Sequence, residues 1–333
     1  MVLNLEQLRA VTVGAARVEQ QDSGFRFFRF TQAQEEAYQL RSADFYMKTF
    51  ATANVRLEFE TDSRELSLSV TAVPGSSRRF FAHDIYVGDR LIGQLGGKLE
   101  KDEEGKPIPC TVSNRFSLGN GTKTVRIYFP WSACSTLHAL SLDDGSTLRP
   151  VPKKRTMLIF GDSITHGYDA DHPSLSYANR LADALCANAR NKGIGGEIFW
   201  PELAMRSDED ISPDLITVAY GTNDWSARTK EEFERDCRLF YETLSARYPS
   251  AHIFALAPIW RVDWDRETKV GRLADVKRHL LQVTASLPNV TVIDCFDFLP
   301  HEKSAFRDLF VHPNDAGFGF YIDQLIDPIQ TKL

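Results

Sequence analysis

The sequence has few of the features that mark secreted disulfide-bonded proteins, membrane proteins or nucleic-acid-binding proteins. Its five cysteines are widely spaced and contain no Cys-x-x-Cys pair, so we expect reduced thiols. No apolar run approaches the roughly 20 residues that span a bilayer, and the first residues lack the basic-then-apolar layout of a signal peptide. A formal net charge of −6 offers no basic surface to nucleic acid. These absences predict a cytoplasmic protein with no membrane or nucleic-acid partner.

The first half of the chain has the alternation of apolar and polar residues that is typical of β-strands. The 333 residues suggest about two domains, and 43% hydrophobic with 25% charged residues is ordinary for a globular protein. Predicted strands lie at 55–59, 66–70, 125–129 and 137–142, and a β-hairpin lies at 84–92. Short strands at this spacing predict an antiparallel, jelly-roll-like β-sandwich accessory domain over residues 1–150.

The second half alternates apolar strands with amphipathic helices after a linker at 149–155. Predicted strands are 156–160, 214–220, 252–257 and 290–293, and predicted helices are 174–187, 230–247, 272–286 and 315–330. This alternation predicts an α/β domain over residues 151–333, with a doubly wound, mostly parallel sheet covered by helices on both faces. Ligands bind outside the carboxyl ends of the strands in such sheets.

Ser163 is a candidate nucleophile because it follows the first of these strands, in the run Gly161-Asp162-Ser163-Ile164. A hydroxyl is a weak nucleophile unless a neighbouring base takes its proton. A turn from strand to helix also supplies backbone N–H groups that could bind an oxyanion. The alternative is a serine that only caps a helix.

His312 is the natural base, since histidine gains and loses a proton near neutral pH. Asp308, four residues earlier, could orient the imidazole through its other ring nitrogen, although a backbone carbonyl could do the same. A surface histidine before proline is the alternative for His312. We expect His166, three residues after Ser163, to point away from the path of attack.

Two further segments could bind a developing negative charge. Asn223 follows the strand at 214–220 and offers a side-chain N–H₂ group, or else it only forms a turn. The run 191–196, Asn-Lys-Gly-Ile-Gly-Gly, is rich in small residues where backbone could approach a ligand.

These blocks resemble the SGNH (Gly-Asp-Ser-Leu type) hydrolase family of flavodoxin-like esterases and acylhydrolases, over residues 155–333. The matching blocks are 161–164, 191–196, 221–224 and 308–312. The resemblance implies Ser163 as nucleophile, His312 as base and an oxyanion hole formed by the Ser163 and Gly196 N–H groups and the Asn223 side chain. It implies acyl transfer in two steps, with no cofactor and no metal.

One departure from the family pattern concerns the acid. The family usually places its aspartate three residues before the histidine, whereas Asp308 lies four before His312 and Leu309 occupies the usual position. The sequence therefore leaves open whether the site is a Ser-His-Asp triad or a Ser-His dyad helped by a carbonyl.

The sandwich-plus-hydrolase layout resembles two-domain carbohydrate acetylesterases, which makes a small-molecule or saccharide ester the expected substrate. Aromatic faces suit sugar rings, so aromatic and polar residues of the loops expected to border the site are candidate substrate contacts, although they could instead pack the protein together. They are Glu197, Trp200, Trp225, Trp260 and Arg261. The hypothesis is hydrolysis of short acyl, most simply acetyl, esters. The alternatives are a lipase or thioesterase for longer chains, and a non-catalytic carbohydrate-binding protein.

Overall fold

The computed structural model describes residues 1–206 and 208–333. The chain forms two compact units, which we call the sandwich unit and the parallel-sheet unit. The sandwich unit comprises Met1–Thr31, Arg41–Lys153 and His172–Ser174, and the parallel-sheet unit comprises Gln32–Leu40, Lys154–Asp171 and Leu175–Leu333. The main division between the units lies between Lys153 and Lys154, and the short segment 32–40 from the first half of the sequence belongs to the parallel-sheet unit.

The sandwich unit contains two antiparallel sheets. Its strands are β1 (Thr12–Val13), β2 (Arg17–Gln21), β3 (Gly24–Phe28), β4 (Arg56–Thr61), β5 (Glu65–Pro74), β6 (Phe80–Val87), β7 (Arg90–Lys98), β8 (Cys110–Ser117), β9 (Lys123–Tyr128), β10 (Ala133–Leu142) and β11 (Arg149–Pro150). One sheet has the order β1-β4-β9-β6-β7 with β11 beside β4, and the other has the order β2-β3-β10-β5-β8. The predicted sandwich and its hairpin, now β6 and β7, are confirmed.

The core of this unit lies between the inner faces of the two sheets. Alternate residues such as Leu57 and Phe59 of β4 and Leu68 and Val70 of β5 are buried in one cluster, as the period of two in a strand requires.

Three helices that the alternation did not predict also lie in the first half of the chain: α1 (Leu5–Val11), α2 (Gln32–Arg41) and α3 (Ala43–Thr49).

The parallel-sheet unit has the predicted doubly wound fold. Its strands are β12 (Arg155–Gly161), β13 (Ala187–Asn191), β14 (Leu215–Ala219), β15 (His252–Leu256) and β16 (Val290–Ile293), and its further helices are α4 (Ser163–His166), α5 (Tyr177–Ala184), α6 (Pro201–Met205), α7 (Thr222–Ala227), α8 (Lys230–Arg247), α9 (Asp275–Thr284) and α10 (Asp315–Gln330). All four pairings are parallel, in the order β13-β12-β14-β15-β16. This is the flavodoxin-like order, in which the first strand of the unit, β12, lies between the second and the third.

The sequence prediction was wrong at one edge of this sheet. The helix predicted over 174–187 ends at Ala184, and Cys186, with φ of +50°, turns the chain into β13. The β13 sequence, Ala-Asn-Ala-Arg-Asn, has neither an apolar run nor β-branched residues, so it carried no strand signal. Pairing with β12 decides its structure instead. Within the described part of the chain, no helix combines the length and apolar character needed to cross a membrane.

Candidate active site

The nucleophile candidate, Ser163, follows the carboxyl end of β12. The order of the strands reverses at β12, which pairs with β13 on one side and with β14 on the other. β12 ends at Gly161, and α4 begins two residues later at Ser163. Asp162 caps this helix, since its Oδ1 accepts the Ile164 N–H at 2.9 Å. A Cβ on Gly161 would lie 2.0 Å from the Thr165 Oγ1, so the tight turn requires glycine there.

The structure brings Ser163, His312 and Asp308 into one hydrogen-bonded chain. The His312 Nε2 lies 2.8 Å from the Ser163 Oγ, and the His312 Nδ1 lies 2.7 Å from the Asp308 Oδ2. Ser163 is 7% exposed, so most of this residue is enclosed by the protein. The arrangement can move a proton from the serine hydroxyl to an imidazole that a carboxylate orients.

The extra residue between the aspartate and the histidine is accommodated by a left-handed turn. Leu309 has φ of +58°, an uncommon conformation for a residue with a side chain. The Asp308 Oδ1 accepts the N–H groups of Phe310 and Val311 at 2.9 Å and that of His312 at 3.1 Å. This turn leaves Oδ2 directed at the imidazole, so the unusual spacing still delivers a carboxylate to His312.

The environment of Asp308 favours its charged form. Partial burial alone would raise the pKa of this carboxyl, but the hydrogen bonds from the His312 side chain and from the Val311 and His312 N–H groups outweigh it. The pKa of Asp308 is therefore held well below its usual value. The group facing His312 is a carboxylate at any pH where the histidine could act as a base.

A second carboxylate near the histidine was missed by sequence reasoning. The Asp169 Oδ2 lies 3.5 Å from the His312 Nδ1, and the Asp169 side chain is 4% exposed. This distance is too long for a good hydrogen bond but short enough for an electrostatic contribution. Asp169 has φ of +70°, and nothing in the local sequence signalled its approach to a residue 143 positions away.

The three groups predicted as oxyanion donors each keep an N–H that no described protein acceptor takes. Ile194 to Glu197 form a turn closed by the Glu197 N–H and the Ile194 carbonyl at 3.0 Å, with Gly196 at φ of +90°. Within the described ranges, neither the Ser163 nor the Gly196 N–H donates to a protein acceptor. The Asn223 Nδ2 donates one hydrogen to the Glu197 carbonyl at 2.9 Å, which leaves its second hydrogen for a ligand.

The predicted glycine-rich block packs directly against the turn that carries Ser163, the candidate nucleophile. The Asn191 Nδ2 donates to the Thr165 carbonyl at 2.7 Å, and the Gly195 N–H donates to the His166 Nδ1 at 3.2 Å. His166 is 1% exposed, and this contact uses its Nδ1 as an acceptor. The ring of His166 therefore contacts the glycine-rich block 191–196 through the nitrogen that accepts the Gly195 N–H.

Two predicted substrate contacts are buried completely. Trp225 is 0% exposed, and its indole N–H donates to the Gly271 carbonyl at 2.9 Å. Glu197 is also 0% exposed, and its carboxylate accepts the Tyr38 hydroxyl at 2.9 Å. Neither side chain presents a surface to a substrate, because internal hydrogen bonds and packing use their polar atoms. We correct both to structural residues.

The other three predicted contacts differ in exposure. Trp260 is 6% exposed and stacks on His301, with ring centroids 5.2 Å apart. Arg261 is 7% exposed and donates to Asp263 at 2.6 Å and to the Thr222 carbonyl at 3.2 Å. Trp260 and Arg261 therefore also take part in internal packing and hydrogen bonding. Trp200 is half-buried, so of the five residues it retains the most surface for a ligand.

Among the described residues, one group has the geometry to hold a metal ion. Asp169, Asp308 and His312 offer ligand atoms that lie within 4.8 Å of one another. The same carboxylate oxygens orient the His312 ring. A bound cation would therefore compete with the use of His312 as a base.

Two buried carboxyl groups beside the site have raised pKa values. Burial raises the pKa of Asp162 to about 6, although the Ile164 N–H opposes the shift. Burial likewise raises the pKa of Asp224 to about 7, against the effect of the Phe199 N–H that its Oδ1 accepts at 3.1 Å. Low dielectric surroundings disfavour the charged form in both cases.

We expect Asp224 to make the folded protein less stable as the pH rises from about 4 to 7. The unfolded chain loses this proton near pH 4, whereas the folded chain keeps it until about pH 7. Unfolding therefore releases a proton in this window, and stability falls with pH by a few kcal/mol, at about 1.4 kcal/mol per pKa unit. Asp224→Asn should flatten the Tm-versus-pH curve there, while the exposed Asp89→Asn control should not. An unchanged slope in Asp224→Asn would contradict the assignment.

Comparison with known proteins agrees with the geometry of the site. Residues 159–319 match the model of the GDSL-like lipase/acylhydrolase family. A comparison with curated proteins finds no significant match.

Solved structures resemble the chain along most of its length. A salicylyl-acyltransferase from a tetracycline biosynthetic pathway has 21% identity and a TM-score of 0.77, covering 94% of this chain and 91% of its own. A family two carbohydrate esterase from Cellvibrio japonicus has 16% identity and a TM-score of 0.67, covering 99% and 97%. An acetyl xylan esterase from the rumen bacterium Butyrivibrio proteoclasticus has 16% identity and a TM-score of 0.63, covering 100% and 98%. These likenesses concern the fold. The family match over residues 159–319 makes this part of the chain a GDSL-like lipase/acylhydrolase domain, and the protein a carboxylic ester hydrolase.

Proposed function

We propose that the protein hydrolyses short-chain acyl esters, acetyl esters in the first instance, on a carbohydrate, through a covalent acyl-enzyme. The observation that carries the catalytic part is the continuous contact from Ser163 Oγ to His312 Nε2 at 2.8 Å and from His312 Nδ1 to Asp308 Oδ2 at 2.7 Å. A nucleophile, a base and an orienting acid in this sequence of contacts are what acyl transfer requires.

In the first step, the Ser163 Oγ attacks the ester carbonyl carbon while His312 Nε2 takes the hydroxyl proton. The carbonyl π electrons move to oxygen, where the N–H groups of Ser163 and Gly196 and the second hydrogen of Asn223 Nδ2 would bind the negative charge. Asp308 stabilises the imidazolium. Collapse of the intermediate breaks the ester C–O bond, and His312 returns the proton to the departing alcohol.

In the second step, water replaces the alcohol. His312 takes a proton from the water, whose oxygen attacks the acyl carbon of the acylated Ser163. The same three donors bind the second oxyanion, and its collapse releases the carboxylic acid as His312 returns the proton to the Ser163 Oγ. An acceptor alcohol in place of water would give acyl transfer by the same route.

Support for a carbohydrate substrate comes from the structural neighbours. Several of them are carbohydrate esterases, including an acetyl xylan esterase, and they match this chain along more than nine tenths of its length. Trp200, four residues after Gly196, is half-buried, and an aromatic ring at this place could stack on a sugar.

Exposed apolar residues next to the histidine favour longer acyl chains as a second candidate function. Leu309 is 60% exposed and Phe310 is 38% exposed, and both lie on the turn between Asp308 and His312. Apolar surface at this place could contact an acyl chain or an apolar alcohol.

A chain-length profile on both ester classes decides between these substrates. We would measure kcat/KM on p-nitrophenyl acetate, butyrate and octanoate, and acetate release from acetylated xylo-oligosaccharides. The proposal expects kcat/KM on acetate to exceed that on octanoate by at least about 10-fold, with acetate release from the saccharide, because a site shaped for acetyl has no room for a longer chain and even one surplus methylene costs about 1 kcal/mol there.

A preference for octanoate would replace the short-chain proposal with the lipase or thioesterase alternative. Leu309→Ser tests the lipase or thioesterase alternative, since loss of the exposed leucine should lower octanoate turnover more than acetate turnover. Sugar binding without hydrolysis of any ester would contradict the catalytic proposal and leave a carbohydrate-binding protein.

A further inference from the structure

A tyrosine from the first half of the chain reaches the loop that carries the oxyanion donors. Helix α2 begins at Gln32, and its residues up to Leu40 belong to the parallel-sheet unit. The Tyr38 hydroxyl donates to the Glu197 Oε2 at 2.9 Å, and both side chains are 0% exposed. A buried hydrogen bond to a carboxylate is among the stronger neutral-to-charged contacts in proteins.

Glu197 connects this tyrosine to two of the three proposed oxyanion donors. It directly follows Gly196, and its own N–H closes the turn that exposes the Gly196 N–H. Its carbonyl accepts the Asn223 Nδ2 at 2.9 Å, which fixes the direction of that side chain. Its Oε1 accepts the Ile198 N–H at 2.9 Å. A shift of Glu197 would therefore move both the Gly196 N–H and the Asn223 amide.

Helix α2 is itself held by a second set of buried polar contacts. Gln34 lies one turn before Tyr38, so both residues face the same side of the helix. The Gln34 Nε2 donates to Asp208 at 3.1 Å, and Lys192 donates to the Gln34 Oε1 at 3.0 Å. Lys192 belongs to the same glycine-rich block as Gly196. The Trp200 ring packs on Tyr38, with centroids 4.7 Å apart.

We propose that Tyr38 and Glu197 are positioning residues that hold the Gly196 N–H and the Asn223 amide in place for the oxyanion. The proposal rests on the esterase function proposed above. Preorganised donors stabilise a transition state because they need no reorientation when charge develops. Removal of the Tyr38 hydroxyl takes one hydrogen-bond donor from the buried Glu197 Oε2. The turn at 194–197 can then shift so that this oxygen accepts a hydrogen bond from another group.

The test compares an oxo ester with its thiono analogue, in which sulfur replaces the carbonyl oxygen. Sulfur accepts hydrogen bonds poorly, so turnover of the thiono ester depends little on the oxyanion donors. We expect Tyr38→Phe to lower kcat on p-nitrophenyl acetate about 10-fold, less than the ~10²–10³-fold of removing a donor outright. KM should stay within about 2-fold, and the oxo/thiono rate ratio should fall by nearly the same factor as kcat.

Tyr86→Phe is the matched control, because it removes a tyrosine hydroxyl contact, at 3.2 Å to the Ser174 Oγ, within the sandwich unit. It should leave the oxo/thiono ratio unchanged. Glu197→Gln is the second variant, should Tyr38→Phe not fold. Its single carbonyl oxygen replaces two carboxylate acceptors, so a 3-fold fall in the oxo rate is expected, again without a matching change for the thiono ester.

Equal losses on the two esters, or an unchanged kcat in folded Tyr38→Phe, would overturn the positioning role. Labelling of Ser163 by a fluorophosphonate separates this failure from failure of the esterase proposal. A labelled, active wild type with an unchanged ratio in the variants rejects only the role of Tyr38 and Glu197. A wild type that neither reacts with the probe nor hydrolyses any ester rejects the esterase function, and the positioning role with it.

Discussion

Replacement of Ser163 by alanine is expected to lower kcat for ester hydrolysis by about 10⁴-fold or more. The variant lacks the oxygen that forms the acyl-enzyme, and any residual rate must come from direct attack by water at a site that retains its oxyanion donors. The measurement is kcat on p-nitrophenyl acetate, with the melting temperature and the absence of acyl-enzyme by mass spectrometry as companions. The small change in side-chain volume should leave the fold intact.

Ser245→Ala provides the matched control for this loss. Ser245 lies on helix α8, away from the residues assigned to catalysis. Its Oγ donates to the Asn289 Oδ1 at 2.6 Å. Its activity should equal that of the wild type. Retention of more than about 1% of wild-type kcat by purified Ser163→Ala would show that another group is the nucleophile.

The second large effect is expected from Asp308→Asn, which should lower kcat by about 10²–10⁴-fold. The amide can still accept the backbone N–H groups that the Asp308 Oδ1 now accepts. Facing His312, however, it carries no charge and can present an N–H₂ group, which favours the wrong imidazole tautomer. The measurement is kcat across pH 5–9 on p-nitrophenyl acetate.

Asp169→Asn is the comparison for this variant. Asp169 lies 3.5 Å from the His312 Nδ1, against 2.7 Å for Asp308. Its removal deletes charge without deleting the main hydrogen bond, and asparagine tolerates the left-handed backbone at this position. We expect a loss of no more than about 10-fold. A loss below 3-fold in Asp308→Asn would instead indicate a Ser-His dyad.

The spacing of Asp308 illustrates how far the sequence could go. The resemblance located the candidate acid and base in one segment, 308–312, and the candidate nucleophile in another, 161–164, and the structure brings the two segments together. It could not say whether an aspartate four residues before His312 reaches the ring. That depends on the φ of Leu309, and a leucine carries no signal for a left-handed backbone.

The predicted substrate contacts show the opposite limit. Trp225, Trp260 and Arg261 follow strands whose ends border the site, so proximity was predictable. Exposure was not, because the same aromatic and cationic side chains can either line a pocket or pack beneath it. Arg261 does the latter, with its guanidinium 5.0 Å from the Trp225 ring and 5.2 Å from the Phe310 ring.

The sequence by itself indicated the fold class of each half and the resemblance of residues 155–333 to the SGNH hydrolase family. It also indicated the nucleophile and base candidates, because periodicity and short motifs at strand ends are local properties. Only the tertiary structure decided that β13 is a strand, that Asp169 lies near His312 and that Tyr38 supports Glu197. Each of these depends on contacts between residues far apart in sequence, whose free energy comes from burial and pairing in the folded chain rather than from local preference.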